Sequence, residues 1–273
     1  MSKIVDLNAP LVSVQWLNTH SDASNLILLD ATINKVIDDS SIRIPKARFF
    51  DIKQKFSDVS ALFPSTLPSK EQFQKEAKAL GINKDSIIVV YDDRGIYSSA
   101  RVWWLFKTFG FKNVAVLDGG LPEWENQNLK IENYTNETYS VGDFEVEYLP
   151  DLMTDFEGIN GFCNDSETLI IDARSENRFQ CLVNEPRAGL RRGTILNSKN
   201  LPYTMLCNGY KLKPKAEISE IFNNLVLDKT KVVFSCGSGI TACILALAAT
   251  LCNYNNLTVY DGSWTEYGSL TDN

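Results

Sequence analysis

Two stretches of this chain repeat one plan at a nearly constant distance, and that constrains the fold more than any local motif. "NLILLDAT" (25–32) and "TLIIDARS" (168–175) both contain an apolar run that reaches an acid. "DSIIVVYDDRGIYSSARVWWLFKTFGFKNVAVLDGG" (85–120) parallels "DKTKVVFSCGSGITACILALAATLCNYNNLTVYDGSW" (228–264). Asp30 and Asp172 lie 142 residues apart, and Asp92 and Cys236 lie 144 apart. Each copy alternates short β-branched runs with helical patterns, which predicts an α/β fold with a parallel sheet and helices on both faces. "KEQFQKEAKALGI" (70–82) reads as a helix ended by Gly81 before the buried strand "SIIVVY". "EISEIFNNLVL" (217–227) has the same place before "KVVFS". The polar, aperiodic "NYTNETYSVGDFEVEYLPD" (133–151) separates the copies. The expected organisation is an N-terminal domain over 1–135, a linker over 136–152 and a C-terminal domain over 153–273.

Composition narrows the function classes. The 273 residues are 44% hydrophobic and 22% charged, as in an ordinary globular chain with a real core. A net charge of −7 argues against a nucleic-acid partner, since neutralising phosphates needs clustered Lys and Arg. Arg191-Arg192 reads as a solvated surface pair. The longest apolar run, "ACILALAATL" (242–251), is about half a membrane span, so no membrane partner is expected. The N-terminus lacks the basic-then-apolar layout of a secretory signal. Six cysteines without a C-x-x-C pair, and a single histidine, His20, give neither a disulfide framework nor a zinc set. The expectation is a reduced, cytoplasmic protein with no cofactor, a mitochondrial setting being the open alternative.

The chemistry concentrates at "VVFSCGSGITACILALAA" (232–249). An apolar strand stops at Cys236, crosses Gly237 and Gly239, and restarts as a helix. Ligands of open α/β sheets bind beyond the C-terminal strand ends. A glycine loop there can turn backbone N–H groups inward, and with the helix N-terminus it favours a thiolate and lowers its pKa. Read alone, a cysteine is more often a small buried apolar residue. The order strand, cysteine, glycine loop, helix favours a nucleophile instead. A phosphatase of this layout needs an arginine six residues after the cysteine, where this chain has Ala242.

"CGSGITAC" resembles the active loop of the 3-mercaptopyruvate sulfurtransferases, a branch of the two-domain rhodanese family. "PLVSVQWL" (10–17), "FFDI" (49–52), "ARVWW" (100–104), "LDGGLPEW" (117–124), "DARSENRF" (172–179), "EPRAG" (185–189) and "YDGSW" (260–264) resemble family signatures in the family's order. The resemblance implies tandem rhodanese-like domains, a catalytically silent N-terminal copy and chemistry in the C-terminal one. It makes Cys236 the nucleophile and persulfide carrier and Ser238 a second catalytic residue. Gly237, Gly239, Ile240 and Thr241 complete the substrate loop, and Arg178 and Arg187 hold the carboxylate of 3-mercaptopyruvate, the sulfur donor. Thioredoxin, a small thiol or cyanide would accept the sulfur. Thiosulfate enzymes of the family carry two cations in this loop; here Gly237 and Ser238 leave it uncharged, which favours the monoanionic donor. A thiosulfate-preferring enzyme and a non-catalytic binding module remain the alternatives.

The chain also departs from the family's pattern. The resemblance pairs the loop serine with a histidine and an acid of the first copy, but those positions align with Ser65 and Lys53. The family's two His-Ile-Pro-Gly-Ala elements read Arg43-Ile44-Pro45-Lys46-Ala47 and Thr194-Ile195-Leu196-Asn197-Ser198, and Cys181 stands where glycine is usual. Asp92, aligned with Cys236, cannot carry transferable sulfur. Asp30 and Asp172 are expected to make structural hydrogen bonds, and Cys243 to pack.

Overall fold

The computed structural model describes residues 4–135 and 137–272. The chain divides into two compact units, each taken from more than one segment. The first comprises Met1–Asp58, Leu67–Tyr148 and Gly209–Leu212; the second comprises Val59–Thr66, Leu149–Asn208 and Lys213–Asn273.

In the first unit five parallel strands run in the order Leu11–Val12, Val114–Leu117, Ile87–Tyr91, Leu26–Asp30, Arg48–Phe49. The central strand is buried at all five positions, as a parallel strand covered on both faces must be. Leu28, Val89, Tyr91, Ala115 and Leu117 share one cluster with Val14 and Leu17 of the helix Val14–His20 and Leu121 and Trp124 of the helix Gly120–Asn126. A second core is aromatic: Phe73 of the helix Lys70–Ala79 stacks on Phe109 at 4.1 Å and meets Phe106 of the helix Ser99–Thr108 edge-on. Ser69 caps the first of these helices by accepting from the Gln72 N–H, and Gly81, at φ 69°, ends it.

The polar stretch 133–151 contributes to this unit as far as Tyr148. Phe144 is buried against Phe73, Phe106 and Phe111, and the Gly142 and Glu147 N–H groups donate to the Lys78 and Phe109 carbonyls. Phe144 is the only described residue of the stretch that is fully buried, which is why its sequence alone reads as a spacer. Arg43, itself buried, clamps the start of this strap by pairing with Glu132 at 2.9 Å and with Glu137. The Arg43 hydrogen bond and that of Thr135 hold the Glu137 carboxyl down at about 2. A depressed carboxyl contributes stability above its unfolded pKa and loses it as pH falls through the folded one. Wild type is therefore expected to lose stability between about pH 4.5 and pH 2 through this group, whereas Glu137→Gln shows a flatter dependence in that window, read by urea denaturation at each pH.

The second unit repeats the sheet with strands Ser198–Asn200, Thr168–Asp172, Lys231–Ser235, Leu257–Tyr260 and Met153–Thr154 in that spatial order, all parallel. Position for position this is the first unit's order read from its other edge. The helix Ala242–Leu251 is buried at every residue from Ala242 to Ala249, as expected of a helix apolar all round. No helix among the described residues is long and apolar enough to cross a membrane.

Three positions where the resemblance expects glycine keep glycine's conformation: Lys46, Cys181 and Asn197 have φ of 66°, 61° and 59°. The turn geometry is preserved although the side chains have changed; asparagine tolerates the left-handed region, while Lys46 and Cys181 carry the steric cost of their Cβ. Asp30 and Asp172 are buried hydrogen-bond hubs, accepting from the Thr32 and Arg174 N–H groups at 2.9 Å. Arg191 departs from a solvated-pair reading. Its guanidinium donates to the Gly268 and Thr271 carbonyls and lies over Trp264, holding the end of the last helix.

Candidate active site

Cys236 directly follows the strand Lys231–Ser235, and the helix Ala242–Leu251 begins six residues later. The two loop glycines are needed for different reasons. Gly239 has φ 72°, which a side chain disfavours. A Cβ on Gly237 would stand 3.0 Å from Arg178 Nη2, so this glycine lets the guanidinium approach the loop.

The first turn of the helix Ser263–Leu270 latches the loop. The Ser263 hydroxyl accepts from the Cys236 and Gly239 N–H groups at 3.0 and 3.1 Å and donates to the Tyr260 carbonyl at 2.9 Å. One donor and two acceptor sites are the whole capacity of a hydroxyl, so Ser263 is fully used. It adopts φ 50° to do so. The Trp264 N–H donates to the Cys236 carbonyl at 3.0 Å, and the Thr265 N–H to the Gly237 carbonyl at 2.9 Å. Cys236 is 1% exposed, with Sγ 3.9 Å from Ser263 Oγ.

The first unit contains the same loop with a different occupant. Asp92 takes the place of Cys236, and its buried carboxylate accepts from the Arg94, Tyr97 and Ser99 N–H groups at 2.8–2.9 Å. This loop backbone therefore solvates an anion attached at its first residue. At the repeat offset the corresponding N–H groups are those of Ser238, Thr241 and Cys243, the last of which is turned to the Ile240 carbonyl at 3.2 Å.

Four charged groups line up beside the loop. Arg174, fully buried, pairs with Asp172 at 2.7 Å and with Glu185 at 2.9 Å. Glu185 also takes two bonds from Arg178, at 2.5 and 3.3 Å. Arg174 further donates to the Gly193 carbonyl and lies over the Trp264 ring. Arg187 is exposed and donates from Nη1 to Thr265 Oγ1 at 2.7 Å. The structure thus brings Arg178 and Arg187 to the loop that carries Cys236, each held by a partner of the same unit.

Ser238 is half-buried and makes no side-chain hydrogen bond among the described residues. Ile240 is buried at 4% exposure, and Thr241 precedes the helix without capping it through its side chain. Cys243 is buried and donates from Sγ to the Gly239 carbonyl at 3.3 Å. Lys53 lies in the first unit, and Ser65, at φ 63° and 4% exposure, lies in the segment Val59–Thr66 of the second. Neither supplies an imidazole or a carboxylate. Sequence reasoning missed Ser263, Thr265, Glu185 and Arg174. The available signal was the difference between copies: Gly120 and Pro122 of the first stand where Ser263 and Thr265 stand in the second.

Two cavities at matching repeat positions, about 470 Å³ and about 370 Å³, lie at the starts of the strands Leu26–Asp30 and Thr168–Asp172, in each unit at the strand ends opposite its own loop, that of Asp92 in the first and of Cys236 in the second. Their duplication marks them as features of the shared plan. No group of three or more His, Cys, Asp or Glu among the described residues could hold a metal ion.

Comparison with known proteins gives the family and the fold. The model of the rhodanese-like domain matches residues 13–127 and again 159–270. The chain is 34% identical to the 3-mercaptopyruvate sulfurtransferase of Escherichia coli strain K12, over 96% of this chain and 95% of that one. It is 35% identical to the mitochondrial thiosulfate/3-mercaptopyruvate sulfurtransferase 1 of Arabidopsis thaliana, over 98% of this chain and 78% of that one. Among solved structures it is similar to SseA from Escherichia coli, a 3-mercaptopyruvate sulfotransferase with the rhodanese fold. The TM-score is 0.82 at 32% identity, covering 94% of this chain and 99% of that one.

Proposed function

This chain belongs to the rhodanese family and is a sulfurtransferase, and from that premise we propose that it takes sulfur from 3-mercaptopyruvate with Cys236 as nucleophile and persulfide carrier. The observation that carries the site assignment is the pair of equivalent loops. One holds a carboxylate on three backbone N–H groups, and the other presents a thiol at the same residue.

The Cys236 thiolate attacks the sulfur of 3-mercaptopyruvate. A sulfur–sulfur bond forms, the carbon–sulfur bond breaks, and its electron pair leaves on the methylene carbon as the enolate of pyruvate, which takes a proton from solvent. Cys236 is left as a persulfide. An acceptor thiolate, of thioredoxin or of a small thiol, then attacks the outer sulfur and returns Cys236 as thiolate. Loop N–H groups of the kind that hold Asp92 solvate the charge on either sulfur, with no side-chain cation in the loop. Arg178 and Arg187 bind the donor carboxylate, for which two guanidinium forks are suited. With Lys53 and Ser65 at the relay positions there is no general acid–base partner of the family's type. Losing one slows proton transfer by about 10²–10⁴-fold, so turnover is expected to be slow. The proposed setting is the cytosol, where thiols stay reduced.

The test is the intact mass of the reduced protein after incubation with 3-mercaptopyruvate or, separately, thiosulfate. The expected result is one added sulfur and one pyruvate released per chain from 3-mercaptopyruvate, with less sulfur taken from thiosulfate. Preferential uptake from thiosulfate would overturn the donor assignment. No uptake from either donor would overturn the catalytic reading and favour a binding module, a reading that the 1% exposure of Cys236 otherwise supports.

A further inference from the structure

We infer that Thr265 is the positioning residue that aims Arg187 at the donor carboxylate and sets the peptide next to the nucleophile. The inference rests on the carboxylate role of Arg187 proposed above. Thr265 is 5% exposed, in the first turn of the helix Ser263–Leu270. Its hydroxyl stands between two groups of the site, accepting from Arg187 Nη1 at 2.7 Å and donating to the Gly237 carbonyl at 2.5 Å. The direction of both bonds is fixed by chemistry: a guanidinium only donates and a carbonyl only accepts, so the hydroxyl must pass its proton to the loop and turn a lone pair to the arginine.

The Gly237 carbonyl also accepts the Thr265 N–H at 2.9 Å, so the Gly237–Ser238 peptide is held from one side by two donors of one residue. In a planar trans peptide the N–H points opposite to the C=O. Drawing the Gly237 carbonyl to Thr265 therefore turns the Ser238 N–H away from it. The counterpart of that N–H in the first unit is the Arg94 N–H, which donates to the Asp92 carboxylate at 2.9 Å. Thr265 thus braces one donor of the loop and orients a substrate arginine through a single hydroxyl.

The first unit has no such clasp, and its Arg94 N–H reaches the Asp92 carboxylate without one, so what the clasp adds is its hold on Arg187. The Leu121 N–H donates to the Asp92 carbonyl at 3.0 Å, as the Trp264 N–H does to the Cys236 carbonyl. The next residue there is Pro122, which has neither an N–H nor a hydroxyl. The threonine clasp is a feature of the unit that carries the thiol. Arg187 is otherwise an exposed, long side chain, and ordering it only when the donor arrives would weaken binding.

The experiment compares wild type, Thr265→Val and Thr265→Ser, alone and combined with Arg187→Gln. Valine keeps the shape and the backbone N–H while removing the hydroxyl; serine keeps the hydroxyl. Thr265→Val is expected to raise KM for 3-mercaptopyruvate about ten-fold with kcat within about three-fold of wild type, and Thr265→Ser to stay within about three-fold in both. In the Arg187→Gln background the valine change should add less than about two-fold, because its effect on KM runs through that arginine. An unchanged KM in Thr265→Val, or full additivity with Arg187→Gln, would overturn the inference. Pyruvate titrations of wild type and Thr265→Val by calorimetry separate this from the donor assignment. If wild type takes no sulfur from 3-mercaptopyruvate the donor reading fails alone, and the titrations still decide Thr265. About ten-fold weaker pyruvate binding by the variant supports its role; equal behaviour of the two proteins rejects it.

Discussion

Replacing Cys236 by serine is expected to abolish persulfide formation, lowering sulfur uptake on the order of 10⁴-fold or more while leaving the fold intact. A serine hydroxyl is not ionised near neutral pH, and an oxygen cannot form the sulfur–sulfur bond on which transfer depends. The substitution is nearly isosteric, and the loop is held through the Cys236 backbone, whose N–H and C=O are bound by Ser263 and Trp264. Stability should therefore change by less than about 1 kcal/mol. Five other free thiols remain to report any unspecific reaction. Cys163 is buried, and that burial pushes its thiol up despite a hydrogen bond with Tyr267, so it is a poor source of thiolate. Intact mass after incubation with 3-mercaptopyruvate, with peptide mapping of any added sulfur, reads the result. Undiminished uptake by the variant would move the nucleophile to another cysteine.

Cys236→Asp is the informative companion. It writes the residue of the first loop into the second, where Asp92 shows that the backbone accepts a buried carboxylate. That variant should remain folded, without transferable sulfur.

The repeat carried most of the fold into view from sequence. Two strand–acid elements and two strand–loop–helix elements at nearly one offset are enough to specify two parallel sheets of the same order, because each copy's period and punctuation are local. The glycine positions were half legible. Lys46, Cys181 and Asn197 look like departures by residue type, yet all three keep a positive φ, because the turn is imposed by the elements it joins and the side chain merely tolerates it. The strap ending at Tyr148 was not legible, since its attachment depends on the burial of Phe144, on the Arg43–Glu137 pair and on backbone hydrogen bonds, all to residues more than thirty positions away.

At the site, Cys236 and its glycines were visible because strand, thiol, loop and helix are consecutive. The residues that hold them were not. Ser263 lies 27 residues from Cys236, and nothing in "YDGSW" says that its hydroxyl will accept two N–H groups of a distant loop. Glu185 read as part of a motif whose arginine drew attention. Its own role emerges only when Arg174 and Arg178 are seen to converge on it.

Glu185→Ala is the substitution expected to cost the second unit most. The Glu185 side chain is 1% exposed and the Arg174 side chain 0%, so no water replaces the lost carboxylate. Arg174 would keep Asp172 and the Gly193 carbonyl but leave its Nη1 donor unpaired, and the balanced group of two acids and two arginines would gain a net positive charge. Breaking a buried pair from one side costs about 3–5 kcal/mol, and the surviving Asp172 contact places this case near the lower end, about 3 kcal/mol. Glu185→Gln keeps the shape and one acceptor and should cost roughly half as much. The functional consequence is separate from the loss of stability. Arg178 is the more exposed arginine of the group, and Glu185 holds its fork beside Gly237. Released from that carboxylate, its guanidinium is free to turn from the loop, and donor affinity falls even in variant protein that is fully folded at the assay temperature. Urea denaturation of both variants reads the first effect, and KM for 3-mercaptopyruvate in Glu185→Gln the second. A stability loss under about 1 kcal/mol in Glu185→Ala would mean that Asp172 alone compensates Arg174, and that Glu185 serves Arg178 only.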